Sequence, residues 1–273
     1  MYRVAPISAA FATAKAAEIG ATRYSCRVFE RQFRHGTVDS TNERAFAALA
    51  AGTARHGDVH VAHEQMAGRG RRGRAWVSPP GEGVYLSVIL MPAAPLAPVA
   101  LTTAAGLAVL DAVRALGLSG AGLDWPNDVV VGSDKLAGIL VETRGLDPLR
   151  PHYVVGVGLN VAQRSFPADL TRERGVTSLA LHGLTASVRS TQDLLLARLA
   201  DRLELAGVDS RRLADDYLAA CGLRHRRVRV AMGAEIVEGE LLELSLEEGL
   251  TVREQGGTTR RLALEFVRSV QPL

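Results

Sequence analysis

Ala67-Gly68-Arg69-Gly70-Arg71-Arg72-Gly73-Arg74-Ala75-Trp76 packs four guanidinium groups and three glycines into seven of its residues. Glycine at that density rules out a stable helix or a packed strand, so the stretch is a loop. What flanks it sets the fold: alternating Val59 and Val61 predict a short strand before the loop, and Val84 to Met91 predicts a β-branched, apolar one after it. Glycines free the backbone to approach a ligand and leave N–H groups for a phosphate. Each arginine can fork two donors onto a phosphate or carboxylate. Four like charges this close repel, so the loop is expected to stay mobile until an anion arrives. Two blander readings stand beside this one: a solvated basic loop, and a sequence-independent grip on RNA.

Outward from the loop, Thr37 to Gly52 contains Ser40 and Glu43 at capping-box spacing, a helical period through Ala45 and Leu49, and a glycine stop. Pro98 opens a long apolar helix, Val99 to Leu116, closed by Gly117. Val129 to Val131 and Leu136 to Thr143 flank Gly132-Ser133-Asp134 as a hairpin, and Tyr153 to Val161 is a third strand. Helices follow at Thr191 to Leu205 and Ser210 to Ala220. From Arg226 short strands punctuated by Gly233, Gly239, Gly249 and Gly256-Gly257 suggest a small barrel of about five strands. The expected organisation is an extension over residues 1–36, a main domain over 37–222 and a small β domain over 223–273. Arg31, Arg34 and His35 form a basic edge on the extension, and alanine-rich Met1 to Gly20 reads as an amphipathic helix or loose tail, Lys15 and Glu18 arguing against a signal peptide.

Composition narrows the class. The 273 residues are 47% hydrophobic and 22% charged, far from disorder. A net charge of +3, from 32 basic and 29 acidic residues, is too balanced for a nucleic-acid coat protein. Cys26 and Cys221 are too far apart in sequence to suggest a disulfide framework or zinc site, which fits a reducing, cytoplasmic setting. No apolar run approaches the roughly 20 residues that span a bilayer, so no membrane is expected.

Further motifs join the loop. Ser40, Thr41 and Asn42 sit at a helix start, a seat for a polar head group as well as an ordinary N-cap. Trp125-Pro126-Asn127-Asp128 is a turn whose Asn127 and Asp128 suit a metal or phosphate, and equally common turn chemistry. Lys135 heads the apolar Leu136-Ala137-Gly138-Ile139-Leu140, where a cation is costly unless it meets an anion. Gly156 and Gly158 lie within one strand, marking close approach by a ligand or another backbone. The dinucleotide fingerprint is absent, since its third glycine and following helix are missing.

In this order, DSTN (Asp39 to Asn42), Gln65, AGRGRRGRAW (Ala67 to Trp76), WPND (Trp125 to Asp128), KLAGIL (Lys135 to Leu140) and GVGLN (Gly156 to Asn160) resemble the biotin protein ligases. The resemblance implies an α+β fold: a mixed sheet with helices, like the class II aminoacyl-tRNA synthetases, followed by a small SH3-like β-barrel. It implies ATP-dependent, AMP-forming activation of biotin and transfer to a lysine of a biotin carboxyl carrier protein, such as that of acetyl-CoA carboxylase. Biotin would be held by Ser40, Thr41, Asn42, Gln65, Arg69, Gly70, Arg71, Lys135, Gly156 and Gly158. ATP and the adenylate would meet Arg69, Arg71, Arg72, Arg74, Trp76, Asn127, Lys135 and Asn160, with Asp128 on Mg²⁺. Lys135, Arg69 and Arg71 would carry the catalysis. The family's loop is disordered when empty and folds over its ligands.

Two departures are visible. Asp124 precedes Trp125 where family members often carry a basic residue, and no tryptophan follows Trp125, leaving Phe266 as the nearest candidate to stack on adenine. About 36 residues precede the matching region, too few for a winged helix, so no sequence-specific DNA binding is expected; a homodimer is compatible with the resemblance. Lipoate protein ligase is the nearest rival, disfavoured by the arginine loop. An RNA-binding protein is the rival from another class, disfavoured by Glu235, Glu238, Glu240, Glu243, Glu247 and Glu248 in the terminal strands.

Overall fold

The computed structural model describes residues 29–145, 147 and 150–273. The readings placed on Met1 to Gly20 and on Cys26 lie outside the described residues. The chain forms a mixed α+β structure with two sheets. Strands β1 (Gln32–Val38), β2 (Val59–Gln65), β3 (Gly83–Leu90), β4 (Ala121–Asp124), β5 (Asp128–Val131), β6 (Asp134–Glu142) and β7 (Tyr153–Asn160) make the larger one, in the order β1-β2-β3-β7-β6-β5-β4. β1 and β2 run parallel through helix α1 (Thr41–Ala50), and every other pairing is antiparallel. β1 crosses the boundary expected at residue 36. Its sequence, QFRHGTV, lacks the alternation that marks a half-buried strand, which is why it escapes a sequence reading. β4 is missed for brevity, with only four residues, one of them glycine.

Side-chain alternation divides the large sheet. Val84, Leu86, Val88 and Leu90 of β3, and Val155, Val157 and Leu159 of β7, enter the main core. Helix α2 (Pro98–Ala115), opened by its N1 proline, packs there against α4 (Val188–Val208) and α5 (Ser210–Cys221). α2 is long and apolar enough to cross a membrane by composition alone, but most of it is buried between sheet and helices, as a core helix is. The opposite face packs Ile89 and Val154 against Ala45 and Phe46 of α1. Of the alternate positions on that face, Ser87, Gly138, Glu142, Gly156 and Gly158 are small or polar near the start of α1, with Leu140 the apolar exception, and there the sheet stays open. A short helix α3 (Ala168–Glu173) leads back toward β6.

The second sheet comprises β8 (Arg227–Met232), β9 (Glu235–Ser245), β10 (Gly249–Glu254), β11 (Thr259–Leu262) and β12 (Val267–Pro272), antiparallel in the order β11-β10-β9-β8-β12. Its inward residues Val228, Val230, Val237, Leu241 and Val252 are continuous with the main core.

Candidate functional site

Three glycines make the floor of the open face. Gly138 and Gly158 are register partners across β6 and β7, and Gly156 sits between Leu140 and Ser87 in the next row but one. A Cβ on Gly158 would lie 2.3 Å from the Trp76 ring, and one on Gly156 would lie 2.4 Å from Asn42 Oδ1. No side chain but hydrogen fits, so the Trp76 ring comes directly against the sheet. The Lys135 ammonium stands 5.4 Å from that ring's centroid.

The start of α1 forms one wall. Ser40 has extended backbone (φ −158°) and its side chain makes no cap. The expected capping box is therefore absent: Glu43 instead pairs with Arg69 (2.7 Å) and Arg144 (2.5 Å), and the Arg144 hydrogen bond holds its carboxyl below the usual range. The Thr41 N–H donates to Gln65 Oε1 (2.8 Å), whose Nε2 donates to Ser78 Oγ (2.8 Å). Ser87 Oγ lies 2.7 Å from Thr41 Oγ1 and 2.5 Å from Asn42 Oδ1, and Asn42 Nδ2 donates to Glu142 (2.6 Å). Ser87 and Glu142 were not anticipated from the sequence; strand register brings them here, Ser87 opposite Gly156 and Glu142 two positions along β6 from Gly156's partner Leu140.

The arginine loop covers the cleft as a tight hairpin. Gly70 N–H donates to the Arg74 carbonyl (2.7 Å) and Trp76 N–H to that of Gly68 (2.8 Å), while Arg72 (φ 58°) and Gly73 (φ 73°) turn the tip in left-handed conformation. The repulsion expected among its arginines is relieved by acids from elsewhere: Arg69 bridges Glu43 and Glu142 (2.7 and 2.9 Å). Arg71 reaches a neutral partner instead, Asn127 Oδ1 at 3.2 Å, and Asn127 is fixed by donating to the Ile139 carbonyl (2.9 Å). Burial, then the neighbouring Arg72, lowers the Arg71 pKa. That guanidinium hydrogen-bonds to an amide, with the Asp128 carboxylate acting on it through space, and can accept an anion.

Ser40, Thr41, Asn42, Gln65, Arg69, Gly70, Arg71, Trp76, Asn127, Lys135, Gly156 and Gly158 thus line one cleft. Other expected residues fall outside that lining. Arg72 and Arg74 are exposed on the loop's outer side. Asn160 is buried, donating to the Thr177 carbonyl (2.9 Å) and accepting from Gln163 (3.3 Å), a structural role. Phe266 is exposed in the turn before β12. Asp128 stands behind the cleft with its oxygens in ion pairs, to Lys135 Nζ (2.8 Å) and Arg174 (2.6 Å). No group of three or more His, Cys, Asp or Glu suited to a metal occurs among the described residues, so Asp128 does not belong to a preformed metal cage.

Amide-lined at the α1 end and cationic under the loop, the cleft belongs to an α+β protein and has the lining of a small-molecule site suited to a group with a negative charge. The chain matches the biotin/lipoate A/B protein ligase family over residues 36–160. It is 36% identical over 230 residues to the biotin–[acetyl-CoA-carboxylase] ligase of Mycobacterium tuberculosis, covering 81% of this chain and 82% of that protein. With the bifunctional ligase/repressor BirA of Salmonella typhimurium it shares 37% identity over 62% of its own length, spanning about half (52%) of that relative. The biotin protein ligase from Aquifex aeolicus in complex with biotin and ATP superposes with a TM-score of 0.75 at 27% identity, over 90% of this chain and all of that one. The chain belongs to the biotin/lipoate A/B protein ligase family.

Proposed function

We propose that the chain is a biotin protein ligase, which activates biotin with ATP to biotinyl-5′-AMP and transfers biotin to a lysine of a biotin carboxyl carrier protein. The observation that carries this is Arg71: an arginine half buried over the cleft beside Lys135, with a neutral amide where an anion belongs. The named relative in Mycobacterium tuberculosis and the biotin–ATP complex from Aquifex aeolicus support the choice of substrates. We assign the large sheet with its helices to a class II aminoacyl-tRNA synthetase-like catalytic domain, 37–222 with β1 added, and the five terminal strands to an SH3-like barrel, 223–273. A cytoplasmic location fits this chemistry.

The two half-reactions follow from charge. A biotin carboxylate oxygen attacks the α-phosphorus of ATP and pyrophosphate leaves. Both reactants are anions, so their approach needs fixed cations, and Arg69, Arg71 and Lys135 supply them. Mg²⁺ enters with the nucleotide as part of the substrate. Thr41, Asn42 and Gln65 present donors and acceptors to a cyclic urea, while Gly156 and Gly158 let Asn42 and Trp76 come directly against the sheet beside it. The neutral carrier lysine then attacks the acyl carbon, AMP departs and the amine proton is lost. A loop closed over the cleft excludes the water that would hydrolyse the anhydride.

Incubating the purified protein with ATP, Mg²⁺ and either biotin or lipoate tests the assignment by mass spectrometry of the acyl-AMP. Biotinyl-AMP, and label on a biotin carrier domain, is expected; lipoyl-AMP alone would move the chain to the lipoate branch. Steeply salt-dependent RNA binding indifferent to biotin would support the RNA reading instead.

A further inference from the structure

Asp124 and Asp128 are register partners on β4 and β5, so their side chains stand on one face of the sheet. Two carboxylates so placed repel, and burial raises the Asp124 pKa against the pull of its neighbours. One arginine resolves the conflict: Arg174 gives Nη2 to Asp124 (2.7 Å) and Nη1 to Asp128 (2.6 Å). The second Asp128 oxygen is left to Lys135 Nζ at 2.8 Å.

Arg174 is also tied to Lys135 through the backbone. Lys135 N–H donates to the Gly175 carbonyl (2.8 Å) and Thr177 N–H to the Lys135 carbonyl (2.9 Å). The approach is so tight that a Cβ on Gly175 would overlap Asp134. The segment after α3 therefore clamps the strand that presents the cleft's lysine.

We propose that Arg174 is a positioning residue for acid activation: it holds Asp128 so that the Lys135 ammonium is aimed into the cleft. With Arg174, two aspartates and two cations balance; without it, a net negative charge remains behind Lys135. The freed carboxylates would then compete for the ammonium and draw it away from the incoming anions. This inference rests on the ligase reading of the cleft.

The test separates the two half-reactions. In Arg174→Ala, biotinyl-AMP formation should slow by about 10- to 100-fold, the penalty for a misplaced catalytic group. Transfer from supplied biotinyl-AMP to a carrier domain, which bypasses activation, should keep the parent rate. Arg174→Lys should lie between. Asp124→Lys with Arg174→Ala puts a cation opposite Asp128 by register and should restore activation; it also serves if the single variant fails to fold. Activation at the parent rate in Arg174→Ala, equal loss of both half-reactions, or a swap variant no faster than the single one each overturns the proposal. A parent chain that makes no biotinyl-AMP overturns the ligase reading instead, so the two failures are told apart.

Discussion

Lys135 and Arg71 divide the cationic work at the residue scale. Lys135 is pinned by Asp128 and lies over Trp76, while Arg71 is held by a hydrogen bond to Asn127. Lys135→Ala removes a charge aimed at the reacting phosphate, so adenylation should fall about 10²- to 10³-fold, the cost typical of one transition-state donor. Arg174 still holds Asp128, so the melting temperature should fall by only a few degrees while adenylation collapses, as differential scanning calorimetry would show. Arg71→Gly cuts the loop's tie to Asn127 and should release the adenylate early. Stray biotinylation of bystander proteins, read on a streptavidin blot, is the expected sign; retention equal to the parent would show that Arg71 does not hold the lid.

Strand register governs the element scale. Because Gly158 has no side chain, Trp76 can lie on β7, and Gly158→Ala should push the ring away. A loss of about 1–3 kcal/mol is expected from such overpacking, with a shifted tryptophan emission, and Trp76→Ala in the same chain should recover part of the stability. The β1–β2 edge carries a different device. His60 is buried, stacked on Phe33 (4.9 Å) and 3.1 Å from His35. Burial, then the charge of His35, pushes its pKa down to about 4, with Arg44 and Arg31 acting in the same direction and Asp58 against. The unfolded chain therefore binds the proton first. Stability is whole above about pH 6.5 and declines as pH falls toward 4, by up to about 3 kcal/mol. Urea titrations at pH 7 and pH 4.5 should show the loss, and His60→Phe should flatten it.

At the scale of the whole molecule, three helices behind the sheet are joined by one arginine. Arg202 of α4 donates to Asp111 of α2 (2.7 Å) and pairs with Asp216 of α5. Removing it strands two half-covered carboxylates, so Arg202→Ala should cost about 1–3 kcal/mol in chemical denaturation, less than a fully buried pair because water reaches both acids. The sheet position that presents the cleft depends on those helices, so activity should fall only near the lowered melting temperature.

Much of this was legible in the residues themselves. Periodicity marked α2, α4 and α5, the β5–β6 hairpin and β7, because those segments bury a regular face and local spacing records it. The cleft's own lining was legible from its glycines, its arginines and the lone lysine heading an apolar strand. β1 and β4 were not, one polar at a sheet edge and the other only four residues long. Nor were the acids that neutralise the loop and the lysine. Arg69 finds Glu142 73 residues away, and Arg174 finds Asp124 50 residues away. Local spacing fixes which groups a segment offers, whereas an ion pair between distant segments exists only once strand register and helix packing have set both ends in place. The sequence alone decided which charges and glycines this protein has; the tertiary structure decided which carboxylate meets which cation.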